Sequence, residues 1–167
     1  EKLLAALRDG VRRVILPAAT PYDMGIPTLS EIYVSPTGSD SSDGLSTGTP
    51  LRTITAAMGR VPQGAALTGT GYRINLLPGV YTCEPGEPDN CQNFFADRTG
   101  TAQCPVILRA LGGPETATVR GGFDFARMSY LYLLDLRMIA GGGLPINNSG
   151  NDLLHLASVD HVLLRNV

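Results

Sequence analysis

Four side chains stand out as candidates for binding chemistry. Arg109, Arg120 and Arg165 each follow or end a short aliphatic run, and His155 lies between Leu154 and Leu156. A guanidinium presents a planar fork of donors that matches a carboxylate, so the three arginines suit ligands that carry carboxylates. If the leucines face inward, His155 faces outward, where an imidazole can hydrogen-bond or stack. Asp40 and Asp43, in Gly38-Ser39-Asp40-Ser41-Ser42-Asp43-Gly44, place two carboxylates in a tight glycine-bounded loop, which resembles the start of a calcium loop. The downstream Glu of an EF-hand is missing, and the same residues suit a loop whose side chains hold backbone amides. Asp124, Asp135, Asp152 and Asp160 are a further set that one face could collect. The only lysine is Lys2.

The elements that must position these groups are short. The chain has 167 residues, with 20 Gly and 12 Pro, roughly a fifth of the total, which excludes a coiled coil or helical bundle. Hydrophobic residues make up 43%, too many for disorder, and no apolar run approaches the roughly 18 residues of a membrane span. The net charge of −2 provides no positive field for nucleic acid. A soluble monomer is expected.

Residues 1–30 read as an N-terminal helix or linker. Leu3, Leu4 and Leu7 have helical spacing, the following apolar run is too interrupted by arginine for a signal peptide, and Pro17, Pro21 and Pro27 mark a connector. From residue 31 the pattern is strand and turn. Glu31 to Ser35, Arg73 to Leu77, Pro105 to Ala110, Ala117 to Arg120, Tyr130 to Met138, Leu153 to Leu156 and Val162 to Val167 are β-branched, aromatic or aliphatic runs separated by Gly, Pro, Asn and Asp. One helix interrupts them, expected to open at Thr49-Pro50 and to run to Met58 with Leu51, Ile54, Ala57 and Met58 on one face. The pattern leaves a sandwich, a barrel or a solenoid.

An internal repeat chooses among them. Ser129 to Leu136 overlays Asp160 to Val167 without a gap, and each copy carries a short polar residue, Asp135 or Asn166, in the penultimate place. Parallel stacking of rungs would set those two residues on one corner, which favours a solenoid. The last run ends as a strand, so further rungs are expected beyond Val167.

Cys83, Cys91 and Cys104 lie in a segment rich in Pro, Gly, Asp and Asn. No Cys-x-x-Cys pair is present and the two histidines are distant, which disfavours zinc. A loop disulfide, Cys83–Cys91 or Cys91–Cys104, would indicate an oxidising compartment, and three reduced thiols remain the alternative. Asn147-Asn148-Ser149 matches a glycosylation acceptor.

The stretches Ile32 to Gly44, Thr49 to Ala57, Leu76 to Thr82, Gly100 to Ala110 and Val119 to Gly122, in this order and spacing, resemble the N-terminal region of right-handed parallel β-helix proteins of the pectate-lyase-like superfamily. The resemblance covers residues 31–167. It implies an all-β, right-handed parallel β-helix with a short N-terminal capping helix, interrupted at its C-terminal end. It also implies an extracellular or cell-surface protein that binds or cleaves acidic polysaccharide. Cleavage in this superfamily is β-elimination, which needs calcium or arginines to neutralise a uronate carboxylate and a Lys or Arg to take the C5 proton. With Lys2 outside the matching region, the base would be an arginine or lie beyond Val167. A non-catalytic β-helix, used as an adhesin, surface module or carbohydrate-binding module, is the alternative.

Overall fold

The computed structural model describes residues 14–15, 28–82, 92–139 and 153–167. Their strands are β1 (Val14–Ile15), β2 (Leu29–Val34), β3 (Gly71–Leu76), β4 (Gly79–Tyr81), β5 (Gln92–Ala96), β6 (Val106–Ala110), β7 (Ala117–Arg120), β8 (Gly122–Ala126), β9 (Leu131–Leu134), β10 (Leu136–Ile139), β11 (Leu154–Ala157) and β12 (Val162–Arg165). All pairings between these strands are parallel. They form sheet A in the order β1-β12-β9-β6-β3-β2, sheet B in the order β10-β7-β4 and sheet C in the order β11-β8-β5. From β3 onward the chain visits A, B and C in turn and returns to A one strand further along. This is a β-helix-like arrangement, and no sheet closes into a barrel.

Period-two alternation decides which side chains fill the interior. Ile32, Ile74, Leu108 and Leu133 occupy one register column of sheet A, and each is at most 4% exposed. From sheet C come Phe95, Phe123 and Phe125, with the last two rings stacked at 5.2 Å. These chains belong to one core cluster that runs through the molecule.

The corners use left-handed backbone. Asp97, Arg127 and Ser158 have φ of 62°, 52° and 54°, Tyr130 and His161 both have 50°, and Asp135 and Asn166 have 61° and 49°. Left-handed conformation costs a non-glycine residue on the order of 1 kcal/mol, so its recurrence at equivalent corners reflects a turn geometry imposed by stacking. The expected Asp135–Asn166 corner is among them.

The helix, α1 (Ile54–Met58), is shorter than expected and starts later. Leu51 is drawn into a parallel bridge with Val34, so Pro50 and Leu51 extend along the edge of β2 and Thr53 is the N-cap, its hydroxyl accepting from the Ala56 amide at 3.0 Å. The loop protects that edge: Ser35 N–H donates to Leu51 O, and Leu51 N–H to Tyr33 O. Ile54, Ala57 and Met58 are buried, and the helix packs against β2 and β5, which closes the core at this end.

Two expectations meet the structure differently. Val14–Ile15, within the stretch read as helix or linker, pairs with β12 at the opposite edge of sheet A from β2. Cys104 is a free buried thiol, so the Cys91–Cys104 pairing is not formed. Cys83, Cys91, Leu3, Leu4, Leu7, Asn147 and Asp152 lie outside the described residues.

Candidate functional site

The outward face of sheet A carries a row of polar side chains built by strand register. Glu31 pairs with Arg73, and Tyr33 with Asn75, which pairs in turn with Arg109. Glu31 accepts from Arg73 Nε at 3.0 Å and from Asn75 Nδ2 at 2.7 Å, with a second, shorter bond from Arg73 Nη2. Burial would raise the Glu31 carboxyl, but the bonds from Arg73 and Asn75 and the charges of Arg73 and Arg109 outweigh it and hold it below the usual range. Asn75 is fully buried and also receives Arg109 Nε on its Oδ1, at 2.7 Å.

Arg109 therefore differs from its neighbours. Arg73 is spent on Glu31, and Arg165 donates Nη2 to Asp135 Oδ2 at 2.8 Å. Among the described residues the bond to Asn75 is the single hydrogen bond of the Arg109 side chain, and no carboxylate is paired with it. Burial first, and then the charge of Arg73, lower its pKa from the ordinary arginine value. A half-buried guanidinium held by its Nε and offering its Nη groups is a binding position for an anion.

Leu134 separates Arg109 from Arg165 in the register, so their backbones lie about 10 Å apart. Beside them the face is apolar: Ile107, Tyr132, Leu134 and Leu163 form a second buried cluster.

No family model matches the sequence, and no curated protein matches it. Among solved structures, one named "Rhamnogalacturonan lyase" aligns with 65% of this chain at 18% identity and a TM-score of 0.47. The chain spans 28% of that structure's length.

The other expected residues fall on separate surfaces. Arg120 ends β7 in sheet B. His155 is on β11, in register with Asp124 and Phe94 on the outward face of sheet C, and its Nδ1 lies 2.9 Å from Asp124 Oδ1. Phe94 is 60% exposed, an unusual position for a large aromatic and one that the sequence reading passed over. The four candidates are thus not brought together: Arg109 and Arg165 share one face, Arg120 and His155 each sit on another. The aspartates are also dispersed, with Asp124 on sheet C, Asp135 at the exit from sheet A, and Asp160 at its entrance.

Asp40 and Asp43 hold their loop. Asp40 Oδ1 accepts from the amides of Arg52 and Thr53 at 2.8 and 2.9 Å, and its Oδ2 from Thr53 Oγ1 at 2.9 Å. Asp43 Oδ1 accepts from the Leu45 amide at 3.0 Å and from Thr49 Oγ1 at 2.6 Å. Among the described residues no three His, Cys, Asp or Glu converge as a metal site. Calcium requires six or more converging oxygens, and Asp40 and Asp43, engaged with their own loop, do not by themselves supply them. No helix of the described residues is long and apolar enough to cross a membrane.

Proposed function

We propose that this chain is the N-terminal part of an extracellular, right-handed, pectate-lyase-like β-helix protein, and that it binds acidic polysaccharide across the outward face of sheet A. The reading rests on the sequence resemblance over residues 31–167 and on the parallel three-sheet arrangement. The observation that carries it is Arg109, the one arginine of the Arg73, Arg109, Arg165 series that forms no direct ion pair among the described residues. A uronate carboxylate would complete it. In a β-elimination that contact would disperse the charge of the carboxylate while a base takes the C5 proton, the C4–C5 double bond forms, the C4–O bond breaks and the leaving oxygen takes a proton from solvent.

Electrophoresis of the protein through gels containing polygalacturonate or a neutral glucan tests the reading. Retardation is expected in polygalacturonate alone, and Arg109→Gln should weaken it. Equal retardation of wild type and variant, or retardation in both gels, overturns it. Ultraviolet absorbance of unsaturated uronate ends, followed on the same samples, separates cleavage from binding.

One observation favours the non-catalytic reading. Phe94, exposed beside the Asp124–His155 pair, offers an aromatic face and hydrogen-bonding groups suited to holding a sugar ring without chemistry. Binding without unsaturated ends is its expected signature.

A further inference from the structure

At the capped end of the molecule, the loop after β2 and the strand β4 enclose a pocket of about 200 Å³, lined by Pro36, Arg52, Thr53, Val80, Tyr81 and Thr82. Its walls are fixed before any ligand arrives. Ser39 N–H donates to Pro50 O, the Asp40 carboxylate holds the Arg52 and Thr53 amides, and the Tyr81 hydroxyl donates to Val34 O at 2.9 Å and Leu77 O at 2.6 Å. Preformed walls spare a ligand the entropy of ordering them.

The lining divides by chemistry. Pro36 and Val80, the latter 49% exposed, form an apolar side. Thr82 adds a hydroxyl. Thr53 contributes little more, because its hydroxyl already bonds Asp40 and the Ala56 amide. Among the described residues the Arg52 side chain makes no hydrogen bond or ion pair, although its backbone is anchored by Asp40. The pocket thus joins a guanidinium, unpaired among the described residues, to an apolar ledge. Its volume is below the roughly 300 Å³ at which drug-sized sites begin, which suits one ring and excludes a peptide segment.

We propose that this pocket binds a single uronic acid unit, with the carboxylate on Arg52, a ring hydroxyl on Thr82 and the C–H face of the ring against Pro36 and Val80. The choice of a uronate among small carboxylates rests on the acidic-polysaccharide reading; the pocket and its cation do not. The site is separate from Arg109, which lies on the outward face of sheet A.

Nuclear magnetic resonance titration of the full chain with galacturonate, its methyl ester and galactose tests the assignment. Galacturonate should shift the Val80 methyl and Thr82 amide signals saturably, and the two neutral sugars should bind about tenfold more weakly or not at all. Arg52→Gln should weaken galacturonate about tenfold, whereas Arg137→Gln, an exposed arginine on sheet B, should leave it unchanged and so control for general charge attraction. Absence of saturable shifts overturns the proposal, as does equal binding of galactose or an equal loss in both variants. The Arg109→Gln variant in the polygalacturonate gel reports the sheet A reading separately. If Arg109→Gln leaves the retardation unchanged while Arg52-dependent galacturonate binding is present, that reading fails and this one stands.

Discussion

Asn166 donates its Nδ2–H to Asp135 Oδ1 across 2.7 Å, joining two successive corners that both have left-handed backbone. The other Asp135 oxygen receives Arg165 Nη2, so one nearly buried carboxylate ties together the last two passes of the chain through sheet A. Asp135→Ala removes both bonds and puts a β-carbon residue without a polar side chain at φ 61°. The unfolding free energy should fall by about 2–4 kcal/mol, read from the urea midpoint. Asp135→Asn keeps an acceptor and tolerates the backbone, and should cost about 1 kcal/mol. Equal losses in the two variants would show that charge alone matters.

Arg98 links the capping helix to the sheets. Only 7% exposed, it donates Nε to Met58 O at 3.2 Å and Nη1 to Ala96 O at 2.6 Å, and its guanidinium lies 6.0 Å from the Phe95 ring centroid. Arg98→Ala leaves two carbonyls without these donors and should cost about 2–3 kcal/mol. Amide hydrogen exchange should accelerate at Thr55–Met58 and leave β9 and β12 unchanged. Uniform acceleration would mean that the helix is not a separate latch.

Much of the fold was legible because the strand code is local. Ile32 and Val34 alternate with Glu31 and Tyr33, and that alternation alone assigns inward and outward faces. The start of the helix was not legible: Pro50 suits a first helical turn, but pairing between Leu51 and Val34, residues far apart in sequence, overrides local preference. The site divides in the same way. That Arg109 and Arg165 point outward follows from strand parity. That Arg165 is ion-paired and Arg109, among the described residues, is not depends on Asp135 and Asn75, positioned by stacking between distant segments. The pairing of Val14–Ile15 with β12 had no sequence signal, since a two-residue strand carries no periodicity.

Glu31 gives the acid limb of stability a defined contributor. Its folded pKa lies below the ordinary glutamate value of 4.5, so the stabilisation is fully present above that value and is lost as pH falls through the lower folded value. Urea unfolding of wild type between about pH 6 and pH 3 should therefore show a loss of stability on acidification that is reduced in Glu31→Gln. Identical slopes would remove Glu31 from the account.

Gly38 is required by close approach. A β-carbon there would lie 2.4 Å from Leu51 O and 2.6 Å from Pro50 O, both backbone atoms that cannot turn aside. Gly38→Ala should lower stability by about 2 kcal/mol, a fall in melting temperature of about 4–8 °C, and should abolish the Arg52-dependent titration. An unchanged melting temperature would show that the loop can yield.

The corners between the sheets differ in what lengths of chain they accept. Sheet A leads to sheet B through residues 77–78, 111–116 and Asp135 in successive passes, and sheet B leads to sheet C through residues 82–91, Gly121 and residues 140–153. Long and minimal connections thus alternate at the same edge without disturbing the strand register around them. The sheet B to sheet C edge spans the widest range of lengths, and the partners across it keep their register, so it is the molecule's place for added sequence.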